Sequence, residues 1–217
     1  MNEGKQYRIP EPSLKRLPRY LYYLKQLRES GLLTISGPMI GKALNCDPTQ
    51  VVKDIAFTGA SGRPRVGYSI PELVNSIENA LGFDHENEAF LVGAGHLGMA
   101  LMSYPRFADY GLRIIAAFDC NPEKIGRSRS GINVIHVDKF ADMAARLQVQ
   151  IGILTTPAEA AQQACDMMVA SGIRAIWNLT PTELEVPEEL VVQNTSMYAN
   201  VAVLLQSLKL KDNQRNL

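Results

Sequence analysis

From Ser13 to Ser30 the apolar residues Leu14, Leu17, Tyr20, Leu21, Leu24 and Leu27 recur at three- and four-residue steps. That spacing predicts an amphipathic helix with Ser13 at its N-cap and Gly31 just past its end. Pro18 falls within about its first turn, where it bends or delays the start, and Lys15, Arg16 and Arg19 crowd that end. A second, short helix is expected after Ser36-Gly37-Pro38, turning Ile40, Ala43 and Leu44 inward. Asp47 then caps a third, which runs from about Pro48 to Phe57, buries Val51, Val52, Ile55 and Ala56, and leaves Thr49, Gln50 and Lys53 on its other face. Over 71–84, Leu73, Ile77, Ala80 and Leu81 share one face of a connecting helix that Gly82 ends.

Past the polar stretch 84–88 the period changes. Short apolar runs at Ala89–Val92, Ile114–Phe118, Asn133–Val137, Gln150–Leu154 and Arg174–Asn178 alternate with helical stretches at Met99–Ser103, Lys139–Leu147 and Ala158–Ser171. Strand–helix alternation of this kind predicts a doubly wound parallel sheet, a Rossmann-like α/β fold. A last helix, capped by Asn194 or Thr195, carries Met197, Val201, Leu204, Leu205 and Leu208 with Ala199, Ala202 and Val203 between them. It is apolar on nearly every side and must be buried, so a second subunit is expected against it. The reading divides the chain into a helical unit over 1–85, an α/β unit over 86–192 and an interface helix over 193–217, packed or swapped across a homodimer.

Two short helices across a tight turn, the second exposing Thr49, Gln50 and Lys53, have the helix-turn-helix arrangement. Behind them Gly59 to Tyr68 reads as a β-hairpin wing with Arg63 and Arg65 at its tip, able to touch phosphates or enter a minor groove. On DNA, Thr49 and Gln50 are expected at base edges, and Lys15, Arg16, Lys53, Arg63 and Arg65 on phosphates or in the minor groove. A three-helix surface domain with a basic loop would share much of this pattern. Charge adds weight to the nucleic-acid reading: residues 1–70 hold eleven Lys/Arg against five acids, a net of +6, and the remainder carries −6.

The first strand of the α/β unit leads into Gly93-Ala94-Gly95-His96-Leu97-Gly98, a helical stretch follows, and Asp119 ends the next strand 21 residues beyond Gly98. In that order the glycines have a dinucleotide-binding logic: a tight turn, a close approach of backbone to pyrophosphate, and close helix–strand packing. Asp119 would accept from the adenosine ribose hydroxyls and repel a 2′-phosphate, which favours NADH/NAD+ over the phosphorylated cofactor. Arg127 and Arg129 are the nearby cations that a 2′-phosphate could use. Thr156-Pro157-Ala158-Glu159 reads as a capping box at the carboxyl edge of the sheet. Thr155 and Thr156 are thus candidates for the nicotinamide side, or for ordinary turn and cap formation.

With 46% hydrophobic and 20% charged residues the chain can bury a core, and no apolar run is long enough to span a bilayer. Met1-Asn2-Glu3-Gly4-Lys5 opens without the apolar segment of a secretory signal. Cys46, Cys120 and Cys165 are too scattered for a metal site or a disulfide framework, which points to a cytoplasmic protein with no membrane partner.

The chain resembles the Rex family of redox-sensing transcriptional repressors. The resembling stretches are Lys15 to Tyr20, Gln50 to Asp54, Gly62 to Tyr68, Gly93 to Gly98, Phe118 to Gly126, Thr156 to Ala158 and Trp177 to Pro181. The resemblance implies a homodimer with two winged-helix domains on a palindromic operator, released when NADH binds the Rossmann domains and repacks the subunits. It implies that Tyr104 lies near the nicotinamide, that Lys124, Pro157 and Asn178 belong to the cofactor site, and that Tyr68, at the end of the wing, is a DNA-binding residue. Two positions depart from the pattern. Val52 stands where the family usually has a basic residue, and Asn194 to Met197 lack the acid common early in the last helix.

An NAD-dependent oxidoreductase is the rival reading. It would need a positioned acid or base and a substrate domain. His85, His96 and His136 fall in a linker, a phosphate turn and a strand end, and fewer than 30 residues follow Glu189. A CoA-like ligand is a further rival, although the CoA 3′-phosphate would lie near the Asp119 carboxylate.

Overall fold

In the computed structural model, which describes residues 9–128 and 130–215, the chain forms two compact units, Met1–Glu86 and Asn87–Leu217. The amino-terminal pentapeptide and Arg129 lie outside the described residues.

In the first unit, α1 (Glu11–Glu29) begins after Pro10, upstream of Ser13. Ser13 is therefore not the cap; it is buried inside the helix and donates its hydroxyl to Asp54. Pro12 suits the first turn, and Pro18 sits mid-helix, where it lacks the N–H that would bond the Leu14 carbonyl. Leu14 is partly exposed, and Leu17, Tyr20, Leu21 and Leu24 are fully buried. Strand β1 (Thr34–Ile35), α2 (Gly37–Leu44) and α3 (Pro48–Ala56) follow, with Ser36 capping α2 and Asp47 capping α3. Gly41 is buried and Ala43 exposed, and a Cβ on Gly41 would lie 2.8 Å from the Cys46 carbonyl oxygen, so only glycine lets the turn before α3 pack this closely on α2. Val52 and Ala56 are exposed rather than buried, and a γ-methyl of Val52 covers Gly37.

Strand β2 (Tyr68–Ser69) pairs antiparallel with β1, and α4 (Ile70–Leu81) closes the unit at Gly82. The loop between α3 and β2 folds back through a single bridge, Arg63 to Gly67, with Arg65 at positive φ in its turn. It is a wing with almost no strand of its own. The core joins Leu17, Tyr20, Leu24, Ile40, Ile55 and Ile77.

The second unit is built on a seven-stranded sheet. Its strands in chain order are β3 (Asn87–Val92), β4 (Leu112–Asp119), β5 (Gly126–Arg127), β6 (Asn133–His136), β7 (Ile151–Leu154), β8 (Ala175–Asn178) and β9 (Val191–Asn194). The spatial order is β5-β6-β4-β3-β7-β8-β9, parallel throughout except for β5 at one edge. Leaving β5 aside, this is the 3-2-1-4-5-6 order of a doubly wound dinucleotide fold, whose switch point lies between β3 and β7. Phe90 and Val92 pack into one apolar layer with Phe118 and Phe140, and Ala89 and Leu91 into another with Met102 and Ile114. Burial on both faces explains why these strands read as continuous apolar runs. Helices α5 (His96–Met102), α6 (Phe140–Leu147) and α7 (Ala158–Ala170) link the strands.

Strand β9 is not signalled by the pattern, and it places Asn194 in the sheet. Neither Asn194 nor Thr195 caps the last helix, α8 (Met197–Arg215); the Ser196 hydroxyl accepts from the Ala199 N–H instead. In the single chain α8 stands exposed, with Tyr198, Val203, Leu204, Leu205 and Leu208 each more than half accessible. Among the described residues no helix is long and apolar enough to cross a membrane.

Candidate dinucleotide site and nucleic-acid face

Three glycines at the carboxyl end of β3 have three different reasons to be glycine. Gly93 has φ +104°, and a Cβ on it would lie 2.8 Å from the Thr155 carbonyl. Gly98 could carry no side chain either, since its Cβ would sit 2.1 Å from the Gly93 carbonyl oxygen. At Gly95 a Cβ would meet nothing within 4 Å. The first makes the turn at the switch point, the third lets α5 press on it, and the second leaves open space above the backbone where a ligand can approach. Ala94 is buried, Leu97 is half-buried, and His96 is exposed at the first position of α5.

Asp119 closes this turn from the neighbouring strand. One carboxylate oxygen accepts from the Ala94 N–H at 2.8 Å and from the Lys124 ammonium at 2.8 Å; the other accepts from the Asn121 N–H at 2.9 Å. Burial pushes its pKa up, but the Lys124 and backbone donors outweigh that and hold it below the usual carboxylate value. Lys124 thus serves the acid rather than standing free. Beside the pair lies a cleft of about 340 Å³ lined by Ala94, Met99, Lys124, Ile125 and Val134.

The opposite strand contributes less directly than the sequence suggests. The Thr155 hydroxyl donates to the Gly93 carbonyl at 2.7 Å and so braces the glycine turn. Thr156 does not cap α7: that helix follows Pro157, and the buried Thr156 hydroxyl has no hydrogen-bond partner. An orphaned polar atom there is costly unless something bonds to it. Asn178 is buried, with its carbonyl oxygen accepting from the Thr180 N–H and hydroxyl and its amide donating to Thr182 and Asn194. All four of its hydrogen-bonding positions are filled by protein, so it organises the turn after β8. Tyr104 is about half exposed after α5, edge-on to Phe107, which in turn meets Trp177 edge-on. The Trp177 indole donates to the Thr195 hydroxyl at 2.9 Å. Open space at Gly95, an acid at the end of β4 and an unpartnered hydroxyl at the facing strand suit a dinucleotide.

In the first unit, Thr49 and Lys53 are exposed on α3, and Gln50 is half-buried with its amide donating to Asp54 at 2.8 Å. Arg16 does not stand free for phosphates. Its Nε and Nη2 bond the fully buried Asp54 at 2.6 and 2.8 Å, with the Ser13 and Tyr20 hydroxyls donating to the same carboxylate. A carboxylate removed from water needs such partners, and here α1 supplies them. Burial pushes Asp54 up in pKa, and the hydrogen bonds from Arg16, Ser13, Tyr20 and Gln50 overcome it and bring it down to about 2. Sequence reading missed this network because its α1 donors lie 34 to 41 residues from Asp54. Lys15 is exposed and paired with Glu11, and Arg63, Arg65 and Tyr68 lie along the wing.

A small helix-turn-helix unit with a basic wing, joined to a dinucleotide-type α/β unit, defines the class: a DNA-binding regulator with a nucleotide-sensing domain. The comparisons name the family. Residues 84–182 match the family model described as a CoA binding domain, and residues 8–56 match that of a putative DNA-binding protein N-terminus. The chain is 44% identical over 205 residues to the redox-sensing transcriptional repressor Rex of Bacteroides fragilis, covering 94% of this chain and 93% of that one. It is 45% identical over 202 residues to Rex of Porphyromonas gingivalis, covering 93% of each. Among solved structures it matches RSP in complex with β-NAD+ and operator DNA, with a TM-score of 0.89, 30% identity and 96% of each chain covered. RSP in complex with β-NADH matches with a TM-score of 0.84 at 29% identity, over 96% of this chain and 98% of that one. The chain belongs to the Rex family of redox-sensing transcriptional repressors.

Proposed function

We propose that this protein is a DNA-binding repressor that senses the NADH/NAD+ ratio, with NADH releasing it from a palindromic operator. The observation that carries the reading is one chain joining an exposed recognition-helix face, Thr49 and Lys53, to a glycine turn closed by the Asp119 carboxylate. RSP, a Rex-family repressor of the same fold, is described in complex with operator DNA and β-NAD+, and with β-NADH. Asp119 favours this dinucleotide over CoA, because a 3′-phosphate would meet an ionised carboxylate.

In this reading Gly93, Gly95, Gly98 and the flanking Ala94, His96 and Leu97 hold the pyrophosphate, and Asp119, steadied by Lys124, takes the ribose. Thr156 supplies a hydroxyl to the nicotinamide half, beside Pro157 and Tyr104. Lys15, Lys53, Arg63 and Arg65 contact phosphates or the minor groove, with Tyr68 supporting the wing. Helix α8 pairs two copies into a homodimer, because its apolar residues stand exposed among the described residues of one chain, and the dimer works in the cytoplasm. The chain is a regulator and not an oxidoreductase: the cofactor acts as a signal.

Fluorescence anisotropy of a labelled palindromic A·T-rich duplex tests this. The protein is expected to bind the duplex and to leave it on addition of NADH but not NAD+. Binding that ignores NADH removes the sensing role, and no binding removes the repressor role.

A further inference from the structure

We infer that Asp54 is a positioning residue for base recognition: it holds the Gln50 amide with nitrogen inward and carbonyl oxygen outward, so that Gln50 selects adenine. The inference rests on α3 being the helix that enters the major groove. What is added is the chemistry that this helix reads there, and the buried group that decides it.

A glutamine amide has a donor end and an acceptor end of nearly the same shape, and a free one turns to suit whichever partner it meets. Gln50 is not free. Its Nε2 lies 2.8 Å from Asp54 Oδ1, four residues on along α3. Asp54 is fully buried and accepts from Ser13, Arg16 and Tyr20 as well, so it is an ionised carboxylate with lone pairs and no proton to offer. Its pKa of about 2 agrees with that geometry. Turning the Gln50 amide over would press a carbonyl oxygen on a buried carboxylate, lone pair against lone pair. One orientation survives, and it comes from the chemistry of the partner.

The outward end of the amide is then an acceptor, with one amide N–H left beside it. In the major groove adenine offers an N6 amine next to the N7 acceptor, the complement of a glutamine so placed. Guanine offers two acceptors and thymine one acceptor and a methyl group, so each would set an acceptor against the Gln50 oxygen; cytosine offers an N4 donor but no acceptor on the same base for the remaining N–H, so only adenine satisfies both ends. Asp54 touches no base itself. It acts through Gln50 while its other donors lock α3 to α1.

The experiment uses the full chain and a pool of random-sequence duplexes. Binding selection with the wild type and with Gln50→Ala identifies the half-site position whose preference depends on Gln50, expected to be an A·T pair. Replacing that adenine with purine, which lacks the N6 amine, should weaken wild-type binding about tenfold and leave Gln50→Ala unaffected. Asp54→Asn, whose amide can both donate and accept, frees the Gln50 amide to turn and should admit guanine at that position about as well as adenine, while the other half-site positions keep their preferences. A purely structural role for Asp54 would lower affinity for every duplex alike and leave guanine as strongly rejected at that position as in the wild type. If Asp54→Asn does not fold, as circular dichroism would show, the wild type still decides: an amide held by Asp54 rejects guanine at the Gln50-dependent position, and a wild type that takes guanine there as well as adenine has an amide that turns, which overturns the inference. A G·C pair at the Gln50-dependent position, no such position, or a purine substitution without cost would overturn the inference. Selection of no sequence by the wild type would instead overturn the reading of α3 as a recognition helix.

Discussion

The Asp119 carboxylate accepts the backbone N–H of Ala94 and the ammonium of Lys124 on the same oxygen, each at 2.8 Å. One side chain at the end of β4 thereby fixes the glycine turn of β3 and carries a neutralising cation, before any ligand arrives. Asp119 is thus a structural clamp on the turn, and in the proposed function it is also the group that takes the ribose.

Asp119→Ala should therefore weaken NADH binding by about tenfold or more, the scale of a hydrogen bond to a charged group. Affinity for operator DNA without NADH should stay nearly the same. Calorimetric titration with NADH alongside DNA anisotropy reads both, and unchanged NADH affinity would remove Asp119 from the cofactor site.

The two glycines of the turn should separate stability from binding. Gly98→Ala places a methyl 2.1 Å from the Gly93 carbonyl oxygen, so backbone must move, at a cost of about 1–3 kcal/mol. Gly95→Ala meets open space and should leave the melting temperature almost unchanged while reducing NADH affinity. Thermal melts with and without NADH distinguish the two.

Lys53 and Arg16 should behave in opposite ways although both are cations of the DNA-binding unit. Lys53 is exposed, so Lys53→Ala should leave stability intact and lower the slope of log K against log salt by about one per subunit. Arg16→Ala strands the buried Asp54 and should cost about 3 kcal/mol of unfolding free energy. An unchanged salt slope for Lys53→Ala would show that it touches no phosphate.

Acid should unfold the first unit through Asp54. Its folded pKa, about 2, lies below its ordinary value of 3.8, so its contribution to stability is complete above the ordinary value and drains as pH falls from about 4 towards 2. Denaturant midpoints across that window should fall in the wild type and change less in Asp54→Asn. Asp119, also held low, contributes in the same direction in the second unit.

Helix α8 should govern assembly. Leu204→Asp with Leu208→Asp puts two charges on its exposed apolar surface and should shift light scattering from a dimer mass to a monomer mass. A wild type that is already monomeric at micromolar concentration would sink the interface reading.

Much of this architecture is written in local pattern. The three-and-four spacing of Leu17, Tyr20, Leu21 and Leu24 marks α1, and the apolar runs around Phe90 and Phe118 mark two neighbouring strands of the sheet. The glycine turn and Asp119 are legible because each residue type answers to backbone geometry within a few positions. The short strands β1, β5 and β9 were silent. β1 and β5 are two residues long and β9 is mostly exposed, so none of them shows a buried apolar run, and only a partner strand makes them strands.

Side-chain roles divide in the same way. Which residues turn inward and where the dinucleotide turn falls follow from periods of two and 3.6 and from glycine sterics, all of them near-neighbour effects. Which hydroxyl caps a helix, which arginine meets a carboxylate and which threonine keeps an open hydrogen bond depend on atoms delivered from other elements. Ser13 is a cap by its neighbours in sequence and an Asp54 ligand by its neighbours in space, because folding sets a buried charge 41 residues away against it. Hydrogen bonds and burial act over a few ångströms and ignore chain distance, so only the packed fold decides them.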